Sequence, residues 1–318
     1  MLDRRAFLTT AAAAGAVTAL PAGAAPVPGE DPALATLFDA FFAEGLRQRP
    51  EGATQLGLDH GANADLRGKL SDASAAGLAA DRAATRDQLR RLAMIDRNRL
   101  SATDKLDYDV VKYTRESSAA VQAFDFGGGG YGPSPYVVSQ QTGAYQSVPD
   151  FLDTKHPVGN AADADAYLAR LEAFAGQLDA QTARLKHDAG IGVSPPDFLL
   201  DTTLTQMTAL LVPPEDALVV TSLDRRAKAK GLGDHYGRDA AAIYTASVLP
   251  ALRRQAAEVA TPDKHQRLQH EDRQEGGAQA PGQQQKHLAR PMDQGAQCAV
   301  RLPYQPSGGQ QIHPDECQ

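Results

Sequence analysis

Residues 160–190, NAADADAYLARLEAFAGQLDAQTARLKHDAG, decide the fold. Leu168, Leu171, Phe174, Ala175, Leu178 and Leu185 recur at steps of three and four, which places them on one face of a long helix. Asn160 can cap that helix, and Asp163 and Asp165 fall in its first turn, where acids meet the positive end of the dipole. Gly190 and Gly192 end it.

The same signature extends in both directions. Upstream, Leu34, Leu37, Phe38, Phe41 and Phe42 form a helical stripe that closes at Arg47–Arg49 and is stopped by Pro50. Ser71 or Asp72 can cap a second helix to about Asp96. Ser101, with Asp104 three residues on, is a variant capping box. The stripe behind it is clear: Leu106, Val110, Tyr113, Ser117, Ala120, Val121 and Phe124. Residues 126–160 read as an irregular stretch dense in Gly and Pro. Downstream, Pro195-Pro196 opens a helix through Phe198, Leu204, Met207 and Leu211. Pro213-Pro214 opens another to about Lys230. A last helix spans His235 to Ala260, with Pro250 expected to kink it. The β-branched runs VVSQ (137–140) and LVVTS (218–222) are isolated, and no internal repeat is found. The expected class is all-α, an irregular helical array.

Both ends differ from this helical domain of residues 26–260. Residues 1–25, MLDRRAFLTTAAAAGAVTALPAGAA, combine Arg4 and Arg5, Phe-Leu behind them, an alanine-rich run and a cleavage site at Ala22 and Ala24. That combination marks twin-arginine export, with the translocase as a transient partner and the periplasm or the outside of the cell as destination. The apolar run is too short for a stable membrane span. At the other end, the last 58 residues hold 13 Gln against 11 in the 260 before them. Without a sustained apolar period, this Gln-rich tail, 261–318, is expected to be disordered.

Charge and composition narrow the function classes. The formal charge is −7, so no basic stripe points to nucleic acid. Cys298 and Cys317, both in the tail, offer no disulfide framework. QHEDRQ, 269–274, begins like a zinc-peptidase helix, yet Gln274 stands where the second His belongs. Gly127–Gly130 lack the Lys and Ser/Thr of a phosphate loop and read as a turn. Asp163 and Asp165 lack the Gly and Glu of a calcium loop. No G-x-S-x-G elbow exists. His156, before Pro157, reads as structural. Arg225-Arg226 with Lys228 and Lys230 reads as a solvated face at a helix end. Gln140, Gln141 and Tyr145 remain as a polar loop able to line a groove or to tie the loop to its neighbours.

Four motifs carry a resemblance: S-Q-Q-x-G-x-Y (Ser139 to Tyr145), His156-Pro157, D-A-Y-L-A-R-L (Asp165 to Leu171) and G-V-x-P-P-x-F (Gly192 to Phe198). Together they resemble the bacterial family catalogued as domain of unknown function 885, over about Asp31 to Ala257. The resemblance implies a mostly helical protein of roughly twice this length, with a fold like helical zinc metallopeptidases and a peptide substrate. It also implies a metal motif of the form H-E-x-x-P-G-H-H in the second half. This chain holds no such motif, so no catalytic or metal role carries over. Zinc is expected for the full-length family and not for this chain, which is expected to lack catalysis. The alternative is a periplasmic binding or interaction module without chemistry. The coincidence of the composition step with the end of the resemblance suggests a shifted reading frame near 258–264; a genuine short variant with a Gln-rich end also fits.

Overall fold

The long helix forms as its sequence requires. In the computed structural model, which describes residues 31–128 and 134–261, α6 spans Ala161–Gly190. The Asn160 side chain accepts from the Asp163 amide at 3.0 Å, and Asp163 Oδ2 in turn accepts from the Gly159 amide at 2.8 Å. This reciprocal cap satisfies donors that a helix start otherwise leaves open. Tyr167, Leu171, Phe174 and Leu178 are buried along one face. The chain leaves the helix through Gly192, whose φ of 82° suits a residue without a side chain.

Four further helices share its core: α5 (Ala144–Thr154), α7 (Asp197–Thr208), α8 (Leu218–Ala229) and α9 (His235–Ile243). Val148, Phe151, Leu200, Met207, Leu223 and Tyr236 join α6 in one continuous apolar core. Each fully buried Leu or Phe contributes about 2 kcal/mol. After α9 the chain widens into a π-helical turn, Tyr244–Val248, and is helical again over 249–261.

A second, smaller region precedes this one. Asp31 caps α1 (Pro32–Gln48) by accepting from the amides of Ala33 and Leu34, at 2.9 and 3.1 Å. Pro50 stops α1 and, suited to a first helical position, opens the short α2 (Pro50–Gln55). A 3-10 turn, Gly61–Leu66, leads on to α3 (Ala75–Leu92) and α4 (Ala102–Gln122). Leu34, Phe41, Leu92, Leu100 and Tyr108 form one small core, and Leu46, Ala53 and Leu66 form another. The Asp31 amide donates to Asp104 Oδ2 at 3.1 Å, joining the start of α1 to the start of α4.

Several expectations need correction. The cap of α3 is Ser74, whose hydroxyl accepts from the Gly77 amide; Asp72 accepts from the Ser74 amide one turn earlier. That helix ends at Leu92, short of Asp96. The segment 126–160 is not wholly irregular, because it contains α5, with Pro149 inside it. Pro214–Asp216 is a 3-10 turn, and α8 begins only at Leu218, so LVVTS is helical. The VVSQ run makes a single bridge, Ser139 to Thr142, and no strand is found among the described residues. The π-turn precedes Pro250 directly: the Leu249 amide donates to the Tyr244 carbonyl five residues back. A wider turn gives room where the proline ring would crowd the carbonyl four residues earlier.

The largest departure is on α4. Its apolar stripe faces solvent: Leu106 is 63% exposed, Val110 55% and Tyr113 73%, and Phe124, just past its end, is 57% exposed. The side turned inward carries Asp104 and Tyr108 instead. Among the described residues no helix is long and apolar enough to cross a membrane. Arg4, Arg5, Ala22 and Ala24 lie outside the described residues. So does the tail, with His270, Glu271, Gln274, Cys298 and Cys317.

Candidate functional site

Two polar assemblies lie against α6. The first is the loop that enters α5. Ser139 and Thr142 pair through their backbones and through their hydroxyls, which lie 2.9 Å apart. Gly143 then turns at φ 127°, and the Ala144 amide at the start of α5 donates to Gln181 Oε1 of α6 at 2.8 Å. Tyr145 follows with its ring buried. Its hydroxyl lies 2.8 Å from the Ser139 carbonyl and 2.7 Å from Gln206 Oε1 on α7. Gln146 Nε2 is 2.8 Å from the Gln140 carbonyl, 2.8 Å from the Tyr145 hydroxyl and 2.7 Å from Gln206 Oε1. One hydroxyl proton and two amide protons serve these acceptors, so the group shares its hydrogen bonds. Burial pushes the Tyr145 hydroxyl up to about 12, which keeps it a neutral donor.

The three loop residues singled out in the sequence are therefore placed differently from one another. Tyr145 is buried and its hydroxyl is engaged. Gln141 is exposed. Gln140 is half-buried, and its Oε1 is buried without a hydrogen-bond partner. The side chains that tie the loop to the helices are Gln146, Gln181 and Gln206.

The second assembly is a closed ring of polar side chains under the other end of α5. Arg170 of α6 is fully buried. Its Nη1 is 2.7 Å from His156 Nδ1, its Nη2 is 2.7 Å from the Thr54 hydroxyl, and its Nε is 2.9 Å from the Lys69 carbonyl. Thr54 Oγ1 donates to Asp59 at 2.8 Å. Arg67 reaches Asp59 at 3.7 Å and Asp163 at 3.1 Å. The Asp163 carbonyl, 2.9 Å from His156 Nε2, closes the ring. A guanidinium only donates, so His156 Nδ1 accepts and its proton sits on Nε2. Burial, with Arg170 and Arg226 nearby, lowers the imidazole to about 4, against the hydrogen bond that Nε2 donates to the Asp163 carbonyl, which favours the charged form. Burial likewise lowers Arg170 to about 10, partly offset by the charges of Glu51 and Asp59.

The ring joins α2, the turn after it, α5 and α6. Arg226 of α8 closes the last open edge by donating to the carbonyls of Leu152, Asp153 and His156 at the end of α5. It is a half-buried cap and not part of a solvated face, because these carbonyls lack helical partners. Gly127 is pinned as well: its amide donates to Asp188 Oδ2 at 2.9 Å, and the backbone of Ser134 and Pro135 occupies the place of a side chain.

The chemistry open to these groups is limited. His156 has both nitrogens engaged, so it cannot take a proton from a substrate without breaking the ring. Among the described residues, no group of three or more His, Cys, Asp or Glu is placed to hold a metal ion. Arg170 was missed in the sequence. Its signal was a charge inside the apolar period Tyr167, Phe174, Leu178.

Comparison with known proteins agrees with this architecture. A crystal structure of the "putative lipoprotein from Colwellia psychrerythraea" superposes with a TM-score of 0.65 at 17% identity, over 72% of this chain and 40% of that one. The chain thus spans well under two thirds of that protein's length, and the likeness is one of fold. No curated protein matches the sequence. The family model described as "Bacterial protein of unknown function (DUF885)" matches residues 50–284. That match starts later than the expected span of about Asp31 to Ala257 and runs past Thr261, so the likeness does not end where the composition changes. The chain belongs to this DUF885 family of bacterial proteins.

Proposed function

We propose that this chain is the exported, N-terminal helical part of a zinc-dependent hydrolase or peptidase-like protein. Its described residues support and position; they do not carry out chemistry. The observation that carries this reading is the ring around Arg170, where the histidine and arginine most altered by burial are consumed by the fold. The short share of the structural neighbour that the chain spans is consistent with it. Metal, base and peptide would belong to residues of the H-E-x-x-P-G-H-H type. Such a site would polarise a carbonyl and activate water.

Purified chain, assayed for peptidase activity and for bound zinc, is expected to show neither. Turnover with stoichiometric zinc would overturn the reading. Sequencing the gene and its downstream DNA in all three frames gives an independent test. A His-Glu pair followed by Pro-Gly-His-His supports it, and an uninterrupted absence removes it. Export by the twin-arginine route rests on Arg4, Arg5, Ala22 and Ala24. Replacing both arginines with lysine is expected to retain the protein in the cytoplasmic fraction.

A second reading is favoured by one atom. Gln140 Oε1 is buried and unpartnered, and such groups usually find a partner. In a binding module without chemistry, a ligand donor would fill that place. The double variant Gln140→Ala, Gln141→Ala separates the cases: lost ligand at unchanged melting temperature supports a groove, and a large drop in stability supports a structural loop.

A further inference from the structure

Away from both assemblies, α1, α2 and α4 enclose an open groove of about 480 Å³. That volume lies in the range of small-molecule sites. Its walls are apolar, from Phe38, Phe42, Leu56 and Val111, and two arginines, Arg49 and Arg115, share them. Phe41 also lines the groove, with the guanidinium of Arg91 4.8 Å from its ring centroid.

Among the described residues, the two arginines have no hydrogen-bonded anion of their own. No side-chain hydrogen bond or ion pair reaches either of them among the described residues, and the Nε of half-buried Arg115 is buried without a partner. They also feel one another: burial first, and then the charge of Arg49, weaken the hold of Arg115 on its proton. The acids nearby do not resolve this. Glu44 is held by Arg91 at 2.7 Å and by Gln88 at 2.8 Å. Asp81 feels the charge of Arg49, with burial raising its pKa, but no hydrogen bond or ion pair joins the two side chains.

The groove is also kept open by sequence. Gly45 in α1 and Gly52 in α2 both line it. A side chain on Gly45 would meet nothing within 4 Å, and one on Gly52 only the Arg49 Cβ at 3.9 Å. Glycine inside a helix costs about 1 kcal/mol relative to alanine. Two such positions on one wall leave space that alanine would reduce.

We propose that this groove binds an amphipathic anion, an alkyl chain with a carboxylate or phosphate head. The head sits between Arg49 and Arg115, where guanidinium groups match either oxyanion in geometry and charge. The chain lies over Phe38, Phe42 and Leu56 and removes apolar surface from water.

Isothermal titration of the full chain with decanoate, decyl phosphate, decanol and acetate tests this. One decanoate or decyl phosphate per chain is expected, and the tighter of the two identifies the head group. Acetate and decanol are expected to bind at least about tenfold more weakly, the loss of one charge-assisted contact or of the apolar one. Arg115→Met is expected to weaken binding about tenfold. Gly45→Leu is expected to block it with an unchanged or raised melting temperature, which separates lost binding from lost folding. Equal binding of decanol, binding indifferent to both substitutions, or no binding by any probe would overturn the proposal. So would a dimer that Gly45→Leu dissociates.

Discussion

The helix pair α6 and α4 shows one sequence signal with two outcomes. Both carry apolar residues at steps of three and four. In α6 that stripe is the buried face, with Leu171 and Leu178 fully enclosed in the continuous apolar core. In α4 the stripe from Leu106 to Val121 is exposed, and the helix packs through Asp104, Tyr108 and Val111. The regions around them differ in kind. The larger is held by an apolar core. The smaller has eight buried apolar residues split between two clusters and is supplemented by polar contacts, such as Gln88 and Arg91 on Glu44. Periodicity reports that a helix has an apolar side; it does not report that anything covers it.

The contrast can be broken most severely where the two regions meet. Arg170→Met removes the donors to His156, Thr54 and the carbonyls of Lys69 and Leu66. A loss of about 4 kcal/mol is expected, since unpaired buried polar groups keep their full desolvation cost. Denaturant unfolding measures it, and a loss under about 1 kcal/mol would show that the ring does not couple the regions. Next comes the larger core itself. Leu171→Ala is expected to cost about 3 kcal/mol in the same assay, as transfer and cavity terms add.

A titration comes third. His156 stands near 4 in the folded protein against 6.5 as its ordinary value. Its folded pKa is lowered, so its contribution is complete above about pH 6.5 and declines as pH falls toward 4. Between pH 7 and pH 5 the loss is about 2 kcal/mol. Unfolding of the parent chain and of His156→Gln at both pH values should differ by that amount; equal pH dependence would remove His156 as the cause. The smallest effect is expected on α4. Leu106→Lys with Val110→Lys should change stability by less than about 0.5 kcal/mol and raise solubility, because exposed positions contribute little and apolar patches promote association. A loss comparable with that of Leu171→Ala would mean that α4 is covered in solution.

The elements most legible in the sequence were those with long periods and strong caps. Asn160 with Asp163, and Ser101 with Asp104, mark true helix starts. α5 was hidden because Gly143 and Pro149 read as loop chemistry, although Tyr145, Val148, Phe151 and Leu152 recur at helical spacing and are all buried. α2 was hidden because Pro50 stops one helix and begins the next. The Arg170 ring was beyond sequence reasoning for another reason. Its members come from Thr54, Asp59, Arg67, His156, Asp163 and Arg170, and only tertiary packing brings them together. The visible traces were the charge of Arg170 amid apolar neighbours, His156 as a structural histidine and Asp163 in a first helical turn.

The π-turn at Tyr244–Val248 works as a phase corrector. Tyr236, Ala240, Tyr244, Val248 and Leu252 are all buried, at a spacing of four. A regular α-helix advances four residues in slightly more than one turn, so each such step drifts by roughly 40°. Four steps would carry Leu252 to the far side of the helix from Tyr236. One wider turn takes back much of that drift and lets a sequence of period four stay against the core. Deleting a single residue from that turn would therefore act less like a local loss than like a rotation, turning Leu252, Gln255 and Val259 away together.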